Sequence, residues 1–262
     1  MILHSPAGLR NIPLKIVSLV PSQTELLHFL GLEKETIAIT KFCVHPAEWA
    51  SVKVIIGGTK NIDLQRVKNL KPDLIIANKE ENEKAQVEEL AREYPVWLTD
   101  VSNLTDALQM IQDIGILTNT YQKAAALAVA ISGGFARLPG KHLPVPTAYL
   151  VWRKPFMTIG GDTFINDMMT RCGLQNIFAH RLRYPEVTIE ELKADSCRLL
   201  LLPSEPYPFK QQHLEALQHN LPGTKIQLVD GEMFSWYGSR LLLAPAYFNM
   251  LMSSINPAIP LK

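Results

Sequence analysis

The sequence predicts an α/β fold of two lobes with mainly parallel sheets, joined by one long backbone helix. Three observations carry this. Short apolar runs alternate with amphipathic segments in both halves of the chain, the pattern of βα units whose right-handed crossovers build a parallel sheet. A stretch rich in Ala, Leu, Gln and Lys, residues 118–140, interrupts the alternation in the middle. The chain has 262 residues, 47% hydrophobic and 19% charged, which is enough for two separate cores.

The first half opens on KIVSLV (15–20), a strand. PSQTELLHFLGL follows as a helix, with Ser22 as N-cap, Glu25 three residues on as capping-box partner and Gly31 as the stop. TIAIT (36–40) and VKVIIGG (52–58) read as strands, the second leading into a short helix, DLQRVKNL. PDLIIAN (72–78) is a buried strand, EKAQVEELAREY (83–94) a helix and PVWLTD (95–100) the next strand. After NLTDALQMIQDIGIL comes TNTYQKAAALAVAISGGFARLPG, a strong helix former up to Gly133–Gly134, with a stop at Pro139–Gly140. About twenty residues at ~1.5 Å each span ~30 Å, a domain's width. The expected organisation is an N-terminal α/β lobe over 1–117, a bridging helix over 118–140 and a C-terminal α/β lobe over 141–262.

The second half resumes with TAYLVWR (147–153) as a strand and DTFINDMMTRCG (162–173) as a helix ending at Gly173. TIEELKAD (188–195) is a short helix capped by Thr188 with Glu191. CRLLLLPS (197–204) is a buried strand, PFKQQHLEALQ a helix, KIQLVDG (225–231) a strand and RLLLAPAYFNMLMSSI the closing helix.

Net charge is +1 and no Lys/Arg run occurs, which argues against nucleic acid or an anionic membrane as partner. Apolar runs such as AAALAVAI (124–131) fall short of the ~18 residues of a membrane span. Cys43, Cys172 and Cys197 are scattered and form neither a disulfide framework nor a CxxC pair. MILHSPAGLRNIPLK, punctuated by Pro and Gly, does not read as a signal peptide. A cytoplasmic protein and a mature form without its leader both stay open on this reading.

No Walker loop, GxGxxG, GxSxG or HExxH is present, and no Ser or Cys triad is in frame, so no catalytic residue is assigned. TIGGDTF (158–164) reads as an anion cradle at a helix start or, with better odds, as a plain tight turn. Cys43 and His45 stand two apart and can share a soft metal, although two ligands do not close a site. His45 as single axial ligand to a metal held in its own chelate is the better metal reading. The carboxylates of KEENEKAQVEEL look like a solvated helix face.

Ligands of open parallel sheets bind at the carboxyl ends of the strands. Those ends here include TKFCVHP, GGTKN, ANKEEN, WRKPFMTIGG, PSEPYPF and DGEMFSWYGSR. The last is an aromatic cluster, expected at the mouth of the second lobe. Strand alternation there would put Phe234 and Trp236 on one face and Met233, Ser235 and Tyr237 on the other. Gly238 would make the turn, Ser239 would cap the last helix, and Arg240 would oppose its dipole in the first turn. That local conflict suits an arginine kept for a ligand or a partner carboxylate.

KIVSLVPSQTELLHFLGL, KFCVHP, GGTKNIDLQRVKNLKPDLIIAN, RKPFMTIGGDTFINDMMTRCGLQNIF, RYPEVTIEEL and FSWYGSRLLLA, in this order, resemble the class III substrate-binding proteins of ABC importers. These helical-backbone metal receptors bind vitamin B12, ferric siderophores or haem. The likeness runs from about residue 10 to near the end. It implies a periplasmic monomer with no intrinsic cofactor, closing two lobes on an iron or cobalt chelate, and an ABC permease as partner. By this resemblance His45 occupies an aromatic position of the vitamin B12-binding members, and Thr59, Asn78 and Tyr184 occupy tryptophan positions. Phe156 matches a pocket phenylalanine, and Trp236 and Tyr237 add aromatic candidates. Arg153 and Arg240 would pair with ligand carboxylates or amide oxygens, and His45 would reach the metal or a propionate. Glu190 matches one permease-docking glutamate, and Gln65 stands at the position of the other. The alternatives are a cytoplasmic chelatase-like enzyme acting on corrinoids or tetrapyrroles and an intracellular carrier or sensor.

Overall fold

A computed structural model describes residues 1–139, 144–194 and 197–255. The chain divides into two compact units. The first takes Met1–Val101, Thr105–Ser132 and Trp236–Leu242; the second takes Ser102–Leu104, Gly133–Ser235 and the chain from Leu243. The three-segment organisation read from the sequence has no counterpart for Trp236–Leu242, seven residues from near the end that pack with the first unit.

In chain order the first half holds β1 (Ile2–Leu3), β2 (Ile16–Ser18), α1 (Pro21–Leu30), β3 (Thr36–Ile39), α2 (Trp49–Val52), β4 (Val54–Ile55), α3 (Leu64–Leu70), β5 (Leu74–Asn78), α4 (Lys84–Ala91), β6 (Val96–Thr99), α5 (Leu104–Leu117) and α6 (Tyr121–Ala136). The second half holds β7 (Val145–Tyr149), β8 (Trp152–Arg153), β9 (Phe156–Met157), α7 (Phe164–Cys172), β10 (Leu174–Asn176), α8 (Ile189–Ala194), β11 (Leu199–Pro203), α9 (Gln211–Asn220), β12 (Lys225–Val229), α10 (Glu232–Ser235) and α11 (Ala244–Ile255).

The first unit is built on a six-stranded sheet of order β1-β6-β5-β2-β3-β4, parallel throughout. The second has a four-stranded parallel sheet, β10-β7-β11-β12, and a β8–β9 hairpin. Every residue of β5 (LIIAN) and β11 (LLLLP) is buried. Both strands are central and covered on two faces, so they read as unbroken apolar runs rather than alternations. Leu26, Leu27, Ile75 and Val96 belong to the first core; Ala148, Leu150, Phe178, Leu192 and Leu200 belong to the second.

Several caps are as the sequence predicts. Gly31 and Gly173 end α1 and α7 in the left-handed conformation, with φ of 86° and 90°. Thr188 and Glu191 bond reciprocally at the start of α8. Asp195, the expected end of that helix, lies outside the described residues.

Three elements differ, each for a local reason. α1 begins at Pro21, whose fixed φ and missing N–H suit the first helical position, so Ser22 sits inside the first turn and does not cap. TAYLVWR is not one strand: β7 stops at Tyr149, because the Val151 N–H leaves the sheet for the Met157 carbonyl (2.8 Å) and opens the hairpin. α6 is 16 residues long and runs through Gly133–Gly134 to Ala136. A Cβ on Gly134 would stand 3.2 Å from Pro245 Cγ, so this glycine serves the close approach of α11 rather than a break. Gly140, the expected stop, is outside the described residues.

Candidate functional site

The turn after β5 in the first unit is organised by Asn78, which is 1% exposed. Its Oδ1 accepts from the backbone N–H groups of Glu80 (2.8 Å) and Glu81 (3.1 Å). Its Nδ2 donates to the Thr99 hydroxyl (3.2 Å) and carbonyl (3.3 Å). Asn82 closes the same turn, accepting from the Asn78 N–H and donating to the carbonyls of Leu19 and Thr59. The Asn78 amide is therefore occupied in fixing Glu80 and Glu81, and half-buried Thr59 lends this network its carbonyl.

After β3 the chain buries Cys43 and exposes Phe42 and Val44. The Cys43 sulfur lies 3.1 Å from Thr24 Oγ1 and 3.3 Å from Thr40 Oγ1, and burial pushes its pKa up. Half-buried His45 has a different neighbour. Its ring meets Trp236 edge-on, centroids 5.4 Å apart at 72°. Among the described residues no three His, Cys, Asp or Glu side chains gather as a metal site.

The segment 230–242 corrects the alternation expected for it. Glu232–Ser235 is a helical turn, so the period of two does not apply, and Phe234, Trp236 and Tyr237 are all buried. Phe234 packs in the second unit, ring to ring with Tyr149 (5.5 Å) and Phe248 (4.9 Å). Trp236 and Tyr237 belong to the first. Tyr237 donates from its hydroxyl to Glu81 Oε1 at 2.7 Å. Burial, then the Glu81 carboxylate, holds its phenol well above the usual pKa, so it stays a neutral donor. Gly238 is needed for close approach: a Cβ there would stand 2.6 Å from the Ser22 carbonyl oxygen on α1.

Ser239 does not cap the closing helix. Ser239–Leu242 is a 3-10 turn, and α11 starts only at Ala244. Arg240 therefore faces no helix dipole. Its Nε and Nη2 donate to the two Glu25 carboxylate oxygens at 3.1 and 2.5 Å, and its guanidinium lies 4.9 Å from the Trp236 ring centre. The partner carboxylate allowed by the sequence is the protein's own.

In the second unit Arg153 and Phe156 pair across the β8–β9 hairpin, and half-buried Phe156 packs on the core. Tyr184 is half-buried, with the Arg183 guanidinium 5.9 Å from its ring centre. Gly160 and Gly161 spend their N–H groups on the carbonyls of Arg183 (2.7 Å) and Arg181 (2.9 Å). TIGGDTF is thus a tight turn whose glycine donors are already engaged.

Sequence reasoning missed a ring cluster beside this hairpin. Trp152 meets Tyr207 (5.5 Å), Tyr207 meets Phe209 (4.7 Å) and His213 (5.6 Å), and Phe209 meets His213 (5.8 Å). PSEPYPF carried the signal as an aromatic strand end, but Trp152 lay within a run read as strand. Also missed were Glu25 and Glu81, whose partners lie 215 and 156 residues away along the chain. Glu190 is exposed in the first turn of α8. Gln65 is exposed on α3 and donates to Asn69, while Asp63 caps that helix through the Arg66 N–H.

No helix among the described residues is long and apolar enough to cross a membrane. The vitamin B12-binding protein of Pectobacterium carotovorum subsp. carotovorum (strain PC1) is 23% identical over 253 residues, covering 94% of this chain and 91% of its own. The uncharacterized ABC transporter substrate-binding lipoprotein YvrC of Bacillus subtilis (strain 168) is 26% identical over 192 residues, covering 69% of this chain and 60% of its own. A periplasmic heme binding protein from Pseudomonas aeruginosa has the same fold, with TM-score 0.77, 18% identity and 96% of each chain covered. So does the periplasmic vitamin B12 binding protein BtuF of Vibrio cholerae, with TM-score 0.72, 18% identity and coverage of 92% of this chain and 98% of that one. The sequence profile of the periplasmic binding proteins matches residues 16–223, well over half of the chain, and the protein belongs to that family.

Proposed function

We propose that this protein is the substrate-binding component of an ABC importer and that its substrate is a metal chelate: a corrinoid, a haem or a ferric siderophore. The observation that carries this is the family match over residues 16–223, with relatives named for vitamin B12 and heme among the similar proteins. A family of binding proteins is not one of enzymes, and the chelatase-like alternative is set aside.

The strand ends supply suitable groups on each unit. On the second, Phe156 and Tyr184 offer aromatic faces, each worth ~1 kcal/mol beyond its buried area, and Arg153 offers a fork for a carboxylate. On the first, His45 is the candidate for the metal or a propionate, with Thr59 and Asn78 shaping the neighbouring turn. Trp236, Tyr237 and Arg240 act mainly through His45, Glu81 and Glu25, to which they are bonded or packed. Glu190 and Gln65, exposed on their helices, are the proposed contacts to a permease, which would place the protein on the periplasmic side.

The test is to mix purified protein with cyanocobalamin, haemin and ferric chelates and to record absorbance changes and thermal melts. A true ligand at about 100 times its Kd adds about 2.7 kcal/mol. A panel in which none shifts the spectrum or the melt sinks the chelate reading. Glu190→Gln should leave chelate affinity intact while reducing stimulation of a cognate permease ATPase.

A further inference from the structure

The four-ring cluster of the second unit stands at the carboxyl ends of β7 and β11, where this kind of sheet takes its ligands. Its floor is buried: Phe209 is 6% and His213 7% exposed. Its rim is not, since Trp152 is 43% exposed and Tyr207 half-buried. A single exposed ring is ordinary. A tryptophan held edge-on at 5.5 Å by a tyrosine that rests on two further rings is a fixed apolar face presented to solvent.

Three cations lie along the same stretches of chain. Arg153 follows Trp152, exposed Lys154 begins the hairpin turn, and exposed Lys210 opens α9 three residues before His213. None of the three is paired with a carboxylate among the described residues. Glu205, from the same strand end as Tyr207, accepts from Ser235 Oγ at 2.6 Å. His213 registers the resulting field: burial first, then the charges of Arg153 and Lys210, hold its imidazole below the ordinary pKa. Its Nδ1 accepts from the Lys210 N–H, as a neutral ring does.

We infer that Trp152 and Tyr207, with Arg153, Lys154 and Lys210, form a subsite for an anionic group bearing an aromatic ring, so that the chelate taken by this protein is anionic rather than neutral. This rests on the chelate-binding reading above and narrows it. Aromatic faces flanked by unpaired cations suit a ligand whose negative charge sits on or beside a flat ring, where stacking and charge-assisted hydrogen bonds act together. A catecholate-bearing ferric chelate and a haem with its propionates share that chemistry. A corrinoid without net charge does not.

The experiment measures binding of three probes, ferric tris-catecholate, haemin and cyanocobalamin, by calorimetry and tryptophan quenching at low and high salt. The proteins are the wild type, Trp152→Ala and Arg153→Gln. Arg153 is unpaired and Trp152 is on the rim, so Arg153→Gln should keep the wild-type melting temperature and Trp152→Ala, which loses one ring pair, should lower it by only about 2–4 °C. The wild type should take one or both anionic probes with affinity that falls as salt rises, and which one identifies the source of the anion. Each variant should weaken that binding about tenfold. Equal affinity of variants and wild type for the anionic probes overturns the subsite alone. Tighter binding of cyanocobalamin than of either anion overturns it as well. No binding of any probe by the wild type removes the chelate reading and the subsite with it.

Discussion

Replacing Arg240 by glutamine separates two roles for this residue, a ligand group and an internal tie. The Arg240 and Glu25 side chains are only 11% and 19% exposed and meet through a two-pronged hydrogen bond. Removing one partner of a buried pair costs about 3–5 kcal/mol, because the other charge is left desolvated. Residual exposure here lowers that to about 2–3 kcal/mol. Loss of the guanidinium over Trp236 adds ~1 kcal/mol. The expected total is about 3–4 kcal/mol, or a melting temperature lower by about 6–16 °C for a protein of this size. The assay is urea unfolding followed by tryptophan fluorescence. Glu25→Gln should show most of the same loss, and Glu25→Leu with Arg240→Met should recover much of it, since no charge is then stranded. An Arg240→Gln protein that melts like the wild type but loses chelate affinity tenfold would refute this account and restore Arg240 to the ligand.

Further outcomes follow from single contacts. Tyr237→Phe removes the donor to Glu81 and should cost about 1–2 kcal/mol in urea unfolding, with Glu81 left without that hydroxyl. The buried phenols of Tyr237 and Tyr149 have raised pKa values, so folded and unfolded states are equally protonated below the ordinary value of about 10. Above it the unfolded state ionises first, and stability should fall as pH rises past about 10, less steeply in Tyr237→Phe; a flat urea midpoint through that window contradicts the burial. Asn78→Ala strands the N–H groups of Glu80 and Glu81 and should destabilise by about 2–3 kcal/mol, again read in urea. Gly238→Ala drives a methyl against the Ser22 carbonyl and should cost about 2 kcal/mol or more, with a shift in Trp236 emission as the turn is displaced.

The parts legible in the sequence were those set by neighbours along the chain. A central parallel strand is buried on both faces, so LIIAN and LLLLP announced β5 and β11 by composition alone. Gly31, Gly173 and the Thr188–Glu191 box are likewise settled within one turn of helix. The edge strands β1 and β10 could not be seen, since two or three residues carry no period and gain their structure from β6 and β7. The hairpin at Trp152 was hidden because TAYLVWR satisfies the strand pattern throughout, while the Val151 N–H is committed elsewhere.

Segment 230–242 shows how a local rule and a distant partner can claim the same residue. Ser22-x-x-Glu25 satisfies the capping-box pattern, which would use Glu25 to bond the backbone at the start of α1. Pro21 takes the first helical position instead, and Glu25 is left on the helix with a carboxylate to satisfy. Arg240 satisfies it from 215 residues away, which no window on the sequence can register. The same contact changes what the arginine is for. With Glu25 on its guanidinium and Trp236 beneath it, Arg240 is already neutralised, and a ligand anion would have to compete with a two-pronged partner. Arg153 faces no such competition, pairing with no carboxylate among the described residues. Of these two arginines, Arg153 on the hairpin of the second unit is therefore the better placed to meet an incoming anion under the proposed reading.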